Sequence, residues 1–107
     1  MRLTIIESPY AGDAEQNAEY ARRAIKHSLS FGEAPIASHL LYTQPGILNE
    51  NNSIERQQGI EAGVAWYRVA ELCAVYTDFG ISSGMQQGIN QAALFNIAIE
   101  YRNIESQ

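Results

Sequence analysis

The sequence predicts an α/β domain built on a parallel sheet with crossover helices, and three observations carry that prediction. Four short apolar runs, Leu3 to Ile6, Ala34 to Ser38, Cys73 to Tyr76 and Ile97 to Ile99, are of strand length. Between them lie longer segments in which apolar residues recur at steps of three and four. Clusters rich in Gly, Pro, Ser and Asn separate the two kinds of segment, and a strand–helix alternation of this sort is the pattern of a parallel sheet.

Taken in order, the first run ends at Ser8-Pro9, as a buried strand entering a loop. Asp13, just after Gly12 and with Glu15 in the following turn, is placed to cap a helix. Ala14, Ala18, Ala21, Ile25 and Leu29 form that helix's apolar stripe, while Glu15, Glu19, Arg22, Arg23 and Lys26 lie opposite. Phe31-Gly32 closes it, with Gly32 as the left-handed cap. Pro35 suits a strand start or an edge in the second run. His39 to Ser53, with Pro45-Gly46 and Asn49-Glu50-Asn51-Asn52, is too polar and punctuated for a regular element and predicts a long loop. Ser53 is placed to cap a second helix running to about Leu72, with Ile60, Val64, Tyr67 and Glu71 along one line and Arg56 where a capping box prefers Glu or Gln. Thr77 to Gly80 leaves the third strand as a loop. Ser82-Ser83-Gly84 opens a third helix whose Met85, Ile89, Ala92 and Phe95 share a face, and Asn103 to Gln107 reads as a polar tail.

At 107 residues the chain is expected to form one domain, 1–107. Hydrophobic residues at 46% against 18% charged residues suffice for a core, which excludes a disordered segment. Seven Lys and Arg against twelve Asp and Glu give a formal charge of -5, which argues against nucleic acid or an anionic membrane as partner. A small anion remains compatible, because helix N-termini bind anions through backbone amides. Cys73 is the only cysteine and there are two histidines, so neither a disulfide within the chain nor a zinc site is expected, and no metal or cofactor is implied. No apolar run approaches the ~20 residues of a membrane span, and the N-terminus does not read as a signal peptide. The expected location is the cytoplasm.

In a parallel sheet, ligands bind beyond the carboxyl ends of the strands, where strand order reverses. Three segments are predicted to converge there: Ser8 to Gly12, His39 to Gln44 and Thr77 to Met85. Ser8, Pro9 and Gly12 allow close backbone approach, and Tyr10 can stack on a base or sugar; the plainer reading is a proline-stiffened turn with a solvent-facing tyrosine. Ser82, Ser83, Gly84 and Met85 offer hydroxyls and N–H groups at the positive end of a helix dipole, or only an ordinary serine cap. His39 is either a ligand-orienting acid or base or a satisfied structural histidine. His27, in mid-helix, and Cys73, at a strand start, are expected to be structural. Gly59 and Gly63 each cost a helix roughly 1 kcal/mol relative to alanine. With Trp66 and Tyr67 following, part of that helix is expected to form a subunit interface, so a homo-oligomer is anticipated.

Three groups of residues carry a family resemblance: Ser8-Pro9-Tyr10-Ala11-Gly12-Asp13 with Asn17, Tyr20 and Ala21; Ala34-Pro35-Ile36-Ala37 with His39-Leu40-Leu41-Tyr42; and Ser83-Gly84-Met85. In this order they resemble the nucleoside 2-deoxyribosyltransferase-like superfamily, and the first two groups most resemble a branch of small, often phage-encoded relatives. The resemblance implies a flavodoxin-like (Rossmann-like) three-layer sandwich with a small, mainly parallel sheet of four to five strands. It implies a site for a nucleoside or nucleotide, with Ser83, Gly84 and Met85 on a phosphate, Ser8, Tyr10 and Gly12 beside the sugar or base, and Asp78 on a sugar hydroxyl. Family enzymes cleave the N-glycosidic bond with a glutamate early in the third helix. Here that position aligns with Gln86 or, on the branch's own spacing, with Gly88, and no carboxylate occurs between Asp78 and Glu100. The resemblance therefore implies a nucleotide-binding protein that sequesters or senses its ligand, in a phage context an anti-defence sponge acting in the host cytoplasm. The alternative is an N-glycosidase or deoxyribosyltransferase using Asp78 or a carboxylate from a partner subunit.

Overall fold

The computed structural model describes residues 1–105 and is an α/β sandwich around a four-stranded sheet. Strands β1 (Leu3–Glu7), β2 (Ala34–Ile36), β3 (Leu72–Tyr76) and β4 (Ala98–Arg102) are all parallel and lie in the order β2-β1-β3-β4. Helix α1 (Ala14–Ser30) joins β1 to β2, α2 (Ser38–Leu41) and α3 (Ser53–Ala65) lie between β2 and β3, and α4 (Ser83–Leu94) joins β3 to β4. No helix among the described residues is long and apolar enough to cross a membrane.

Strand alternation splits the core in two. Ile5, Cys73 and Val75 point to one face, where Tyr67 and the Met85, Ile89 and Ala92 stripe of α4 cover them. Ile6, Ala74 and Tyr76 point to the other, against Tyr20 and Ala24 of α1 and Ala37. Every residue of β3 is buried, as befits an interior parallel strand that reads as a continuous apolar run.

Several expectations are corrected. The buried stripe of α1 is Asn17, Tyr20, Ala21, Ala24 and Ser28, rotated from the predicted one, and Leu29 is half exposed. Alanine marks close approach to the sheet here, and the buried polar residues are those with hydrogen-bond partners, so apolarity alone misplaced the face. Asn52, not Ser53, caps α3, its side chain accepting from the N–H groups of Ile54 and Glu55 at 3.0 and 3.1 Å. That shift puts Glu55 in the third helical position, where Arg56 had been expected. The helix stops at Ala65, well short of Leu72, because Trp66–Arg68 tighten into a 3-10 turn and Leu72 pairs with Thr4 in the sheet. The second strand ends at Ile36, and Ser38–Leu41 forms one helical turn where a loop had been expected. Strand β4 extends past Ile99 to Arg102, and Ile97 belongs to the turn after α4. Gly32 adopts φ +75°, the left-handed cap that was predicted.

The expected polar tail is partly structured. Asp78 accepts from the N–H groups of Ile104 and Glu105, both at 2.9 Å, which returns the chain to the sheet; Ser106 and Gln107 lie outside the described residues. Beneath that turn, Arg102 forms a two-pronged ion pair with Glu33 at 2.9 and 2.6 Å, and both side chains are almost fully buried. Ser28 and Arg2 also donate to Glu33, so each carboxylate oxygen has two donors.

Candidate functional site

Strand order reverses between β1 and β3: the chain leaves β1 toward β2 on one side and leaves β3 toward β4 on the other. The carboxyl ends of these central strands are thus the expected ligand position. The loop after β1 is built to a fixed shape. Gly12 has φ +106°, which a side chain would strain, and the Asn17 amide donates to the carbonyls of Tyr10 and Ala11 at 3.1 and 3.0 Å. Asp13 caps α1 by accepting from the Gln16 N–H at 3.0 Å. Ser8 and Pro9 are buried, while Tyr10 is 38% exposed and available to a ligand.

The single turn of α2 brings His39 to this loop. Its Nε2 lies 3.4 Å from Ser8 Oγ, and its ring centroid is 5.5 Å from that of Tyr10. Burial pushes the imidazole pKa down, which favours the neutral ring. Glycine in α3 makes this placement possible: a Cβ on Gly63 would lie 2.7 Å from Ser38 Oγ, at the start of α2. One on Gly59 would press on Leu48 at 3.3 Å. These glycines therefore serve packing within the chain. The two aromatics also part company. Tyr67 is buried, and Trp66, 40% exposed, donates to Tyr42 Oη at 2.9 Å.

At the third loop, Ser82 caps α4, its Oγ accepting from the Met85 N–H at 3.2 Å. Met85 is buried in the core and its N–H is already used, so neither its side chain nor its amide is free for a phosphate. Ser83 and Gly84 are exposed in the first turn. Asp78 does not present a free carboxylate. Besides its bonds to residues 104 and 105, Oδ1 accepts from Tyr20 Oη at 2.5 Å. Burial alone would raise its pKa, but the hydroxyl of Tyr20 and the N–H groups of Glu105 and Ile104 outweigh it and hold the carboxyl below its ordinary value. Gln86 faces outward and donates to Asn90 Oδ1 at 3.0 Å, one turn along the exposed side of α4.

Sequence reading missed Glu7 altogether. The last residue of β1, it shares the inward parity of Ile5, and its carboxylate accepts a hydrogen bond from Tyr67 Oη. Burial raises its carboxyl to about 7 even though the bond from Tyr67 acts the other way. The signal was present: an acid two residues beyond a buried isoleucine in a strand stands on the same face. Cys73, as expected, is a fully buried thiol, pushed up to about 12 by burial. His27 is likewise structural, with Nδ1 2.9 Å from Tyr76 Oη.

Among solved structures the chain is similar to a 2-deoxyribosyltransferase from the psychrotolerant bacterium Bacillus psychrosaccharolyticus. The TM-score is 0.75 at 8% identity, covering 94% of this chain and 72% of that one. It is also similar to a 2-deoxyribosyltransferase from Leishmania mexicana, with a TM-score of 0.68 at 8% identity over 96% of this chain. The match spans 65% of the Leishmania protein's length. At such identity the likeness is one of fold, and the fold is the flavodoxin-like sandwich of the nucleoside 2-deoxyribosyltransferases. No curated protein matches the chain. The family model described as a domain of unknown function, DUF7768, matches residues 2–102, nearly the whole sequence, and the chain belongs to that family.

Proposed function

We propose that this protein binds a nucleoside-type small molecule at the carboxyl ends of β1 and β3. The observation that supports the reading is the contact of Ser8 and Tyr10, after β1, with His39, after the neighbouring β2, at the carboxyl ends of adjacent strands on one side of the strand-order reversal. Tyr10 supplies a ring for stacking, and Ser8 with a neutral His39 supplies hydrogen bonds to a base or a sugar hydroxyl. The exposed N–H groups of Ser83 and Gly84 at the start of α4 suit a phosphate when the ligand carries one. Asp78 and Met85 support this site from behind: Asp78 ties down the loop before α4, and Met85 anchors its first turn. The fold shared with 2-deoxyribosyltransferases supports a ligand of this class. Retention of an intact nucleotide, as a sequestering protein would show, and assembly into a homo-oligomer belong to the same reading. For the oligomer, β4 is an edge strand, and Leu94 and Phe95 at the end of α4 and Tyr101 on β4 are exposed apolar residues.

The test is incubation with ribo- and 2′-deoxyribonucleosides and their mono-, di- and cyclic phosphates, followed by ultrafiltration and mass spectrometry. At least one member should be retained by the wild type and lost from Y10A and H39A. A ligand at 100 times its Kd stabilises the fold by about 2.7 kcal/mol, so the melting temperature should rise with it. A panel in which nothing is retained and no melting temperature moves refutes the reading.

A further inference from the structure

Between Ala37 and Tyr67, each only 4% exposed, no residue of the chain is fully buried. A crossover helix of a parallel sheet ordinarily lays one face on the strands, yet α3, 13 residues long, has no buried residue. Its close neighbours are the residues just before it. Gly59 faces Leu48 and Tyr42, Gly63 faces Ser38, Glu55 accepts from the Asn49 N–H at 3.1 Å, and Trp66 donates to Tyr42. Residues 38–66 are therefore packed chiefly on themselves, with Leu40 as the side chain that reaches a core cluster.

Two anchors and one latch hold this segment to the sheet. Ala37 lies in the half of the core under α1, and Tyr67 in the half under α4, so the segment passes from one face of the sheet to the other. The Tyr67 anchor is fixed by its hydrogen bond to the Glu7 carboxylate, which sits in space that α4 leaves open: a Cβ on Gly88 would overlap it. The latch is His39, whose Nε2 is 3.4 Å from Ser8 Oγ, a long separation for a hydrogen bond. Glu7 and Ser8 are consecutive, so alternation along β1 lets adjacent residues hold the segment from opposite faces.

We propose that residues 38–66 form a flap that swings as one body about the Ala37 and Tyr67 anchors, opening at His39 to admit the ligand and closing to bring His39 onto it. The inference rests on the nucleoside-binding reading above. Opening breaks the Ser8–His39 contact and withdraws Leu40, but α3 has no buried side chain to expose. It therefore costs far less than unfolding. As the flap lifts, His39 leaves Ser8 and Tyr10, and the carboxyl end of β1 is uncovered. Tyr67 is a positioning residue: it touches no ligand and acts through the place it gives to α3, and through Gly63 and Ser38 to His39.

Backbone amide relaxation dispersion of the wild type, Y67F and S8A without ligand tests the motion. Amides of α2 and α3 should report one shared exchange rate and one minor population, while those of β3 stay flat. Y67F keeps the ring and removes the anchoring hydroxyl, and S8A removes the latch. Each should raise the minor population about 10-fold across the whole flap, as for loss of one hydrogen bond. A merely structural Tyr67 would disturb only its own turn. Circular dichroism checks folding, and E7A removes the same anchoring bond from the β1 side if Y67F does not fold. In S38C/G63C a disulfide ties α2 to α3, where a Cβ on residue 63 stands 3.2 Å from that of residue 38. Its oxidised and reduced forms should take up a retained nucleoside at equal rates, and Y67F should speed uptake and release alike by about 10-fold. Flat profiles in all variants, different populations for α2 and α3, or a response to S8A confined to α2 overturns the inference. A retained nucleoside whose uptake is blocked by the disulfide, or unchanged in Y67F, also overturns it and leaves the binding reading standing. Failure to retain any nucleoside refutes the binding reading itself, and this inference with it.

Discussion

Replacing Glu7 with glutamine should stabilise the protein at pH 8 far more than at pH 5. The folded carboxyl titrates at about 7, against an ordinary value of 4.5, with burial as the main cause. Between those two values the folded state holds a proton that the unfolded state has released. Folding stability therefore falls as pH rises through this window, and the loss is complete above the folded value. A window of about 2.5 pH units corresponds to roughly 3 kcal/mol, and solvent reaching the partly exposed side chain brings this toward ~2 kcal/mol. Glutamine is nearly isosteric, can accept the same hydrogen bond from Tyr67, and has no charge to desolvate. Urea denaturation of both proteins at pH 5 and pH 8 measures the effect. The advantage of E7Q should grow by about 2 kcal/mol between the two conditions, or roughly 10 °C in melting temperature for a domain of this size. Titration of Glu33 runs in the opposite direction but is common to both proteins and cancels in the difference. An advantage that stays constant with pH would mean that Glu7 ionises as an ordinary surface acid, and the account of its burial would be wrong.

Removing one partner of the buried Arg102–Glu33 pair should be costly. R102M leaves a buried carboxylate with only Arg2 and Ser28, and urea denaturation should show a loss of about 3–5 kcal/mol, whereas an exposed pair would lose under ~1 kcal/mol. The pair also sets acid stability. The Arg102 hydrogen bonds are the main reason that Glu33 titrates at about 2, below its ordinary 4.5, so its contribution is fully present above 4.5 and disappears as pH falls toward 2. Acid unfolding of wild type should steepen in that window, and the window should be missing from R102M. D78A should cost about 2 kcal/mol and expose the amides of residues 104 and 105 to rapid hydrogen exchange, because it removes the acceptor for both and for Tyr20. If D78A instead abolished ligand retention with no change in melting temperature or exchange, Asp78 would be a ligand contact and its latch role would be refuted.

Much of the candidate site's geometry was legible because it depends on local chemistry at predictable places. Ser8, Tyr10, Gly12 and His39 stand where strands end, and the alternation of strands with helices is enough to bring strand ends together. Asp78 and Met85 were read from the same positions, but their bonds within the scaffold were not legible. Their hydrogen bonds go to residues distant in sequence or to a cap, and nothing in composition announces that Ile104 and Glu105 return to Asp78. Gly59 and Gly63 were singled out as costly, and their close neighbours Leu48 and Ser38 are contacts that only the packing of α2 and its loop against α3 creates.

The sequence by itself determined the class of fold, the strand–helix alternation and the caps at Asp13, Gly32 and Ser82. These follow from periodicity, backbone propensity and charge, which act over a few residues and are written in consecutive letters. Tertiary structure alone decided which polar groups are consumed by the scaffold. Glu7 and Gly88 are 81 positions apart, and nothing in the sequence joins them until the strand and the helix pack face to face. Only then does the missing side chain of one become the space held by the carboxylate of the other, because burial and excluded volume are properties of packed neighbours and not of residues in a row.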